Sequence, residues 1–382
     1  MSNTNSFSDS QKFGYEVFGP FLTAYMTWLK DNIAKYNPEK VFFFSRDGFL
    51  MKACYDILEN QNPLGIPSEY VYFSRRSLRT PLLWTKPSVP EIFDFLSWQR
   101  YISYKEVLSF WGLSDDEINN SLGGKQNTTI PYQNLQHDKG IKSLFELHKE
   151  TIVNRSKEQY EALKQYLTQI NFSGNSVIVD IGWHGTMQYA IEKICRQIGI
   201  QTSIHGLYVG IGQTKKIEGS TDGYIYNRED DPKRTEVLCF FGGVEKLFQC
   251  FEGTTLGYKT EDGIAFPIID KFEYDLSDPV VKIIKEIQTG ALDYVKSGLS
   301  GNSIPLLKFG QNPPSKWLNV FKDFYNIDGG TKIFFLPQKG LFDYGIKEFV
   351  YTLNMSPWKT GFMKKAFKLP LPYFLLYKLM KK

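Results

Sequence analysis

Val177-Ile-Val-Asp-Ile-Gly-Trp-His-Gly-Thr186 decides the fold. Five residues, four of them β-branched and apolar, are too few for a helix and suit a strand buried on both faces. Two glycines then let the chain turn, and a helical pattern runs on from Met187 to Ile198. Strand, glycine turn and helix in that order predict one unit of a parallel α/β sheet. The pattern recurs outward from this stretch. Lys40-Val-Phe-Phe-Phe-Ser45 reads as a strand followed by Arg46-Asp47-Gly48 and a helical pattern through Leu50, Met51, Cys54, Ile57 and Leu58. Glu69-Tyr-Val-Tyr-Phe-Ser74 and Ser203-Ile-His-Gly-Leu-Tyr-Val209 read as two further strands. The expected fold is α/β: a Rossmann-like parallel sheet with a helical insertion and a mixed, partly helical C-terminal region.

The rest of the chain fills in around that sheet. Residues 10–36 carry helical spacing, with a kink or restart expected at Gly19-Pro20. Residues 85–172 read as an insertion of helices without strands, over 91–98, 104–111 and 142–170. Helices are expected again at 235–251 and 280–297, whereas 301–343, rich in Gly, Pro and Asn, resists assignment. This divides the chain into a sheet domain (1–84 with 173–260), the insertion (85–172) and a C-terminal region (261–382). The 382 residues are 42% hydrophobic and 16% aromatic, enough for a sizeable core. Four widely spaced cysteines without a CxxC pair, a polar start and the lack of a long apolar run suggest a reducing cytoplasm without a leader or spanning helix. Seven lysines and no acid lie between Trp358 and Lys382; removing them from the 45 basic residues leaves 38 against 41 acidic. A near-neutral body with a basic tail argues against nucleic-acid binding.

Ligands of open parallel sheets bind beyond the carboxyl ends of the strands. Three strands here deliver polar turns to that edge. Asp180 ends one; Gly182, Trp183, His184 and Gly185 form its turn, and Thr186 opens a helix whose free N–H groups favour an anion. Such a turn suits a phosphate next to a hydroxylated sugar, with Asp180 on the sugar hydroxyls, or it is simply a capped connection. Arg46, Asp47 and Gly48 form the second turn: Asp47 is a candidate proton acceptor or Mg²⁺ ligand, the alternative being a surface ion pair. Ser74, Arg75, Arg76 and Arg79 form the third, a planar-fork cluster suited to a polyphosphate unless it is a solvated basic turn. His184 is either a phosphate donor or an exposed loop residue. No histidine pair has zinc spacing.

These motifs resemble a known family. The 177–186 stretch is similar to the phosphoribosyl-pyrophosphate loop of type I phosphoribosyltransferases, although Val179 stands where that loop has the first of two acids. Phe44–Gly48 is similar to the pyrophosphate loop after the first strand of that fold. More closely, Tyr15–Pro20 (Tyr-Glu-Val-Phe-Gly-Pro), Arg46–Gly48, Ser74–Arg76 and Asp180–Thr186 together resemble a bacterial polysaccharide-assembly group often labelled haloacid-dehalogenase-like hydrolase. Some of its members are understood as ribofuranosyl-adding phosphoribosyltransferases of O-antigen and capsule synthesis.

The resemblance implies transfer of 5-phosphoribosyl from phosphoribosyl pyrophosphate to a lipid-linked or oligosaccharide acceptor, with inversion, and a separate phosphatase that trims the product. It implies Mg²⁺, held through the donor by Asp47 and Asp180. Arg46, Gly48, Ser74, Arg75, Arg76 and Arg79 would meet the pyrophosphate, Gly182 to Thr186 the 5-phosphate, and Asp47 would serve as base. Glu245 and Glu252 are acceptor-side candidates, although Phe248 and Phe251 around them read as core. The alternatives are a sugar-phosphate phosphatase, for which Ser45 stands where the nucleophilic aspartate is needed, and a non-catalytic assembly partner. The tail from Phe362 mixes lysines with aromatic and aliphatic residues, which suits peripheral contact with the anionic inner face of the cytoplasmic membrane or a docked helix with snorkelling lysines.

Overall fold

The computed structural model describes residues 7–85, 88–89, 101–126, 128–212, 216–328 and 331–381. Its frame is a five-stranded, wholly parallel sheet of β1 (Lys40–Phe44), β2 (Ser68–Val71), β5 (Gly174–Trp183), β6 (Thr202–Ile211) and β7 (Ser220–Gly223). The strand order is β2-β1-β5-β6-β7. Alternate residues of each central strand enter opposite cores: Val41 and Phe43 one, Phe42 and Phe44 the other; Val177 and Val179 one, Ile178 the other. Burial on both faces is why these strands are continuous apolar runs.

Helices cover both faces, so the chain is an α/β protein with a Rossmann-like sheet. On one side lie α1 (Gly19–Tyr36), α2 (Gly48–Gln61), α5 (Phe241–Phe248) and α6 (Pro279–Lys296); on the other lie α3 (Lys139–Gln169) and α4 (Thr186–Ile198). The helix after β1 and the helix after β5 therefore leave two adjacent strands toward opposite faces. Such a reversal opens a crevice at the carboxyl end of the sheet.

Several details differ from the sequence reading. The α-helix does start anew at Gly19-Pro20, but after a π-helical turn, Gly14–Phe18, instead of a break: the Gly19 N–H donates to the Gly14 carbonyl, and Pro20, which has no donor, falls in the first turn. The insertion contains strands: β3 (Tyr101–Ser103) and β4 (Thr129–Pro131) pair antiparallel. Three residues are too few to show a period of two. The helix expected over 91–98 lies outside the described residues. The stretch 235–251 is two helices, Pro232–Leu238 and Phe241–Phe248. The fifth parallel strand, Ser-Thr-Asp-Gly, has no apolar pattern and is a strand because it pairs with β6 at the sheet edge.

The division at 260 falls near the turn of a hairpin, β8 (Thr255–Glu261) with β9 (Ile264–Ile269), which packs on α3 through Gln159 and the stacked rings of Tyr166 and Tyr258. Farther on, β10 (Tyr325–Asp328) and β11 (Thr331–Phe334) form another hairpin. Phe309, Phe321 and Trp358 cluster with Phe13 and Phe240, so the C-terminal region shares the core of the first face. All four cysteines are buried and free. Among the described residues no helix is long and apolar enough to cross a membrane.

Candidate functional site

The crevice is a cleft of about 1000 Å³, and all three polar turns open into it. Ser45, Arg46 and Asp47 come from the end of β1; Ser74, Arg75 and Arg76 follow β2; Asp180, Gly182, Trp183, His184 and Thr186 come from β5 and α4. The far wall comes from α5 (Phe241, Glu245, Lys246), from Glu273 and Tyr274, from Asn326, Ile327 and Ile333, and from residues 354–357 with Lys359.

The β5 turn has a backbone that fixes its sequence. Gly182 sits at φ +102°, and a Cβ there would lie 2.5 Å from the Gly210 carbonyl oxygen, so only glycine fits. Trp183 is left-handed at φ +71°, a conformation bulky residues rarely hold. Two contacts pin it: its indole Nε1–H donates to Glu245 at 2.8 Å, and its ring stacks on Tyr226 with an interplanar angle of 9°. Gly185, left-handed at the N-cap of α4, supplies no capping side chain. The first amides of this 13-residue helix, beside Thr186, are thus left to face the cleft.

Besides Glu273, three carboxylates line the cleft: Asp47, Asp180 and Glu245. Burial pushes all three upward in pKa, and they reinforce one another: Asp47 is raised further by Asp180 and Glu245, and Asp180 by Glu245. The opposing influences are Arg46 and Arg75 on Asp47, the Ile181 and Gly182 amides and Arg75 on Asp180, and Trp183, Arg75 and Lys246 on Glu245. Asp47 precedes α2 but makes no capping bond, so its carboxylate is not consumed by the helix. Lys246 donates to Gln249 at 2.6 Å and to the Tyr274 hydroxyl, and burial lowers its pKa to about 8.

A divalent cation can be tested against this donor set. No group of three or more His, Cys, Asp and Glu side chains among the described residues gathers closely enough to cage a metal. Mg²⁺ does not require a cage: it keeps waters and takes one or two carboxylates plus substrate phosphates. Asp47 and Asp180, each raised above its ordinary pKa first by burial and further by neighbouring carboxylates, fit that manner of binding.

The arginines have distinct surroundings. Arg46 donates through Nη1 to Glu273 at 2.6 Å, with a longer 3.5 Å contact to the Glu252 carbonyl. Arg75 is exposed at the cleft, and Arg76 donates to Ser109 at 3.2 Å. Arg79 does not reach the cleft: it is 7% exposed, and burial, with Arg75, lowers its pKa to about 10. Residues 75–79 form a helical turn, not an open loop, and position 79 lies about 6 Å farther along its axis than position 75.

Ser74 is occupied as the N-cap of that turn, accepting from the Ser77 amide and donating to the Thr255 carbonyl at 2.6 Å. Gly48 is buried against Phe43, where a Cβ would meet the backbone at 2.9 Å, and Gly185 is buried behind the turn; neither lines the cleft. Of the two glutamates considered for the acceptor, Glu245 faces the cleft. Glu252 does not; it accepts from Tyr70 Oη at 2.5 Å. The sequence reading missed Lys246, Glu273 and Tyr274. Lys246 adjoins Glu245 in an amphipathic helix, a faint signal; Glu273 and Tyr274 lie in a segment without one.

Comparison with models of known protein families and with curated proteins finds no match to this chain.

Proposed function

We propose that the protein is a phosphoribosyltransferase-like glycosyltransferase that moves 5-phosphoribosyl from phosphoribosyl pyrophosphate to a glycan hydroxyl in bacterial polysaccharide synthesis. The observation that carries this reading is the convergence of two anion-receiving turns and a carboxylate cluster in one cleft. A diphosphorylated pentose needs that combination: donors at two separated anionic ends and acceptors for hydroxyls between them. The cleft, about 1000 Å³, is at the upper end of small-molecule sites and accommodates a donor together with an acceptor sugar.

In this reading the amides at the start of α4, with Thr186, hold the 5-phosphate, and Asp180 accepts from ribose hydroxyls. Arg75 and Arg76, with Arg46 released from Glu273, neutralise the pyrophosphate. Magnesium, carried with the donor and touched by Asp47 or Asp180, would spread charge away from the leaving oxygen. The acceptor O–H attacks C1 of the ribose, the C1–O bond to pyrophosphate breaks with its electron pair leaving on pyrophosphate, and Asp47 takes the proton. A base whose pKa burial raises to about 8, close to the working pH, is suited to that work. Glu245, fixed by Trp183, stands on the opposite wall as an acceptor for sugar hydroxyls.

Hydrolysis of a sugar phosphate through a covalent intermediate is the weaker reading. Ser45, at the position such an enzyme gives to its nucleophile, is buried and donates its hydroxyl to the Phe73 carbonyl at 2.8 Å. The discriminating experiment is thermal stabilisation by ligand together with phosphate release. Stabilisation by phosphoribosyl pyrophosphate with Mg²⁺, exceeding that by ribose 5-phosphate, is expected. Release of inorganic phosphate from ribose 5-phosphate would favour the phosphatase, and no response to either would favour a non-catalytic partner.

A further inference from the structure

The helix Tyr373–Lys381 has two unlike faces. Tyr373 and Tyr377, 0 and 2% exposed, seat it in the core, and on the opposite side Leu375 and Leu379 are 54 and 59% exposed. Leu369, Leu371 and Met380 are also exposed, and so are Lys368 and Lys378. The helix packs on Lys359–Phe367, whose Lys364 and Lys365 are half-exposed. That second helix packs in turn on Ile346–Met355 through Phe349, which contacts Phe362 and Phe367. The third helix and the turn before it expose more apolar surface, with Phe342 98% and Ile346 86% exposed. Docking therefore satisfies only half of the tail and leaves a basic, apolar surface across neighbouring helices.

From this arrangement we infer that the surface of residues 342–380 lies on an anionic lipid bilayer, with the leucines in the interface and the lysines at the headgroups. Charge complementarity selects the occupant. Residues 358–382 hold seven lysines and no acid. A second copy meeting the tail face-to-face would oppose lysine to lysine. An anionic leaflet instead gains from each lysine, and the exposed leucines find the apolar boundary that water denies them. The few charges on Ile346–Met355 and its approach are mixed: Asp343, Lys347 and Glu348, the last paired with Lys339. Attraction is therefore assigned to the lysine-rich helices.

The same surface borders the cleft. Asn354 and Met355, at the end of Ile346–Met355, and Lys359, at the start of the next helix, line it. If the cleft transfers phosphoribosyl to a glycan, as proposed above, a lipid-borne acceptor would arrive at its rim from the bilayer; the membrane contact itself does not depend on that reading.

The test is co-sedimentation of the full chain with vesicles of phosphatidylcholine alone or with roughly a third phosphatidylglycerol. Binding to the anionic vesicles only is expected. Lys368→Glu with Lys378→Glu should weaken it by roughly 30-fold or more, about fivefold for each lysine contribution lost. Leu375→Glu with Leu379→Glu should abolish it while leaving the melting temperature and the response to phosphoribosyl pyrophosphate unchanged. Absence of pelleting, equal pelleting of wild type and variants, or a dimer in solution dissolved by the leucine variant would overturn the inference. The donor response, measured on the same samples, reports separately on the cleft.

Discussion

Glu273→Gln should tighten binding of phosphoribosyl pyrophosphate. Arg46, the one arginine in the β1 turn, is held by Glu273 at 2.6 Å, both side chains about 30% exposed. To meet a pyrophosphate it must give up that partner. A partly exposed ion pair is worth about 1 kcal/mol, since water screens it, and about 1.4 kcal/mol corresponds to tenfold in affinity. Glutamine keeps the shape and a weaker acceptor, so roughly three- to fivefold tighter binding is expected at 0.15 M salt, where the Debye length is about 8 Å. The assay is calorimetric titration of the donor with excess Mg²⁺. Arg46→Met supplies the other arm of a double-mutant cycle: alone it should weaken binding about tenfold or more, and in its presence the glutamine should gain little. Weaker binding by Glu273→Gln would refute the release step. An equal gain in both backgrounds would mean that Glu273 acts only as a bare negative charge and that Arg46 is not a donor ligand.

Two further variants probe the carboxylates. Asp47→Asn should abolish transfer yet raise the melting temperature at neutral pH. Because the native pKa of Asp47 lies above its unfolded value, the native state binds the extra proton, and stability falls as pH rises from the ordinary carboxylate range toward that raised value. The stabilisation should accordingly shrink toward pH 4, as followed by scanning calorimetry; retained transfer would remove Asp47 as the base. Trp183→Phe keeps the stack on Tyr226 but deletes the donor to Glu245, a charge-assisted bond worth about 1.5–3 kcal/mol. A melting temperature lower by roughly 2–4 °C is expected, and unchanged stability would show that the 2.8 Å contact does not constrain the turn.

The parts of this fold that are legible in the sequence are those whose environment is simple. β1, β5 and β6 are buried on both faces, which demands apolar runs, and the glycine two residues after Asp180 follows from a positive φ hard against the Gly210 carbonyl. Strand β7 escapes notice because an edge strand of Ser, Thr, Asp and Gly owes its conformation to pairing, not propensity. Parallel strands end on one side, which is why the polar turns share one cleft.

What escaped was the far wall. Lys246, Glu273 and Tyr274 arrive through the packing of α5 and the segment after β9 against the first face, a long-range event without a local pattern. A basic pentapeptide says nothing of its axial rise, so Arg79 reads like its neighbours; once Ser74 caps a helical turn, the last arginine is carried into the interior. The cluster of raised carboxylates was only half visible: Asp47 and Asp180 mark strand ends, whereas Glu245 joins them from sixty-five residues beyond Asp180 through its bond to Trp183.

The most direct measurement is a crystal structure of the protein soaked with phosphoribosyl pyrophosphate and Mg²⁺. The 5-phosphate is expected on the amides of Thr186 and Met187, the ribose hydroxyls on Asp180, and the pyrophosphate between Arg46, Arg75 and Arg76. Donor density elsewhere on the molecule, or a cleft that stays empty at saturating donor, would contradict it.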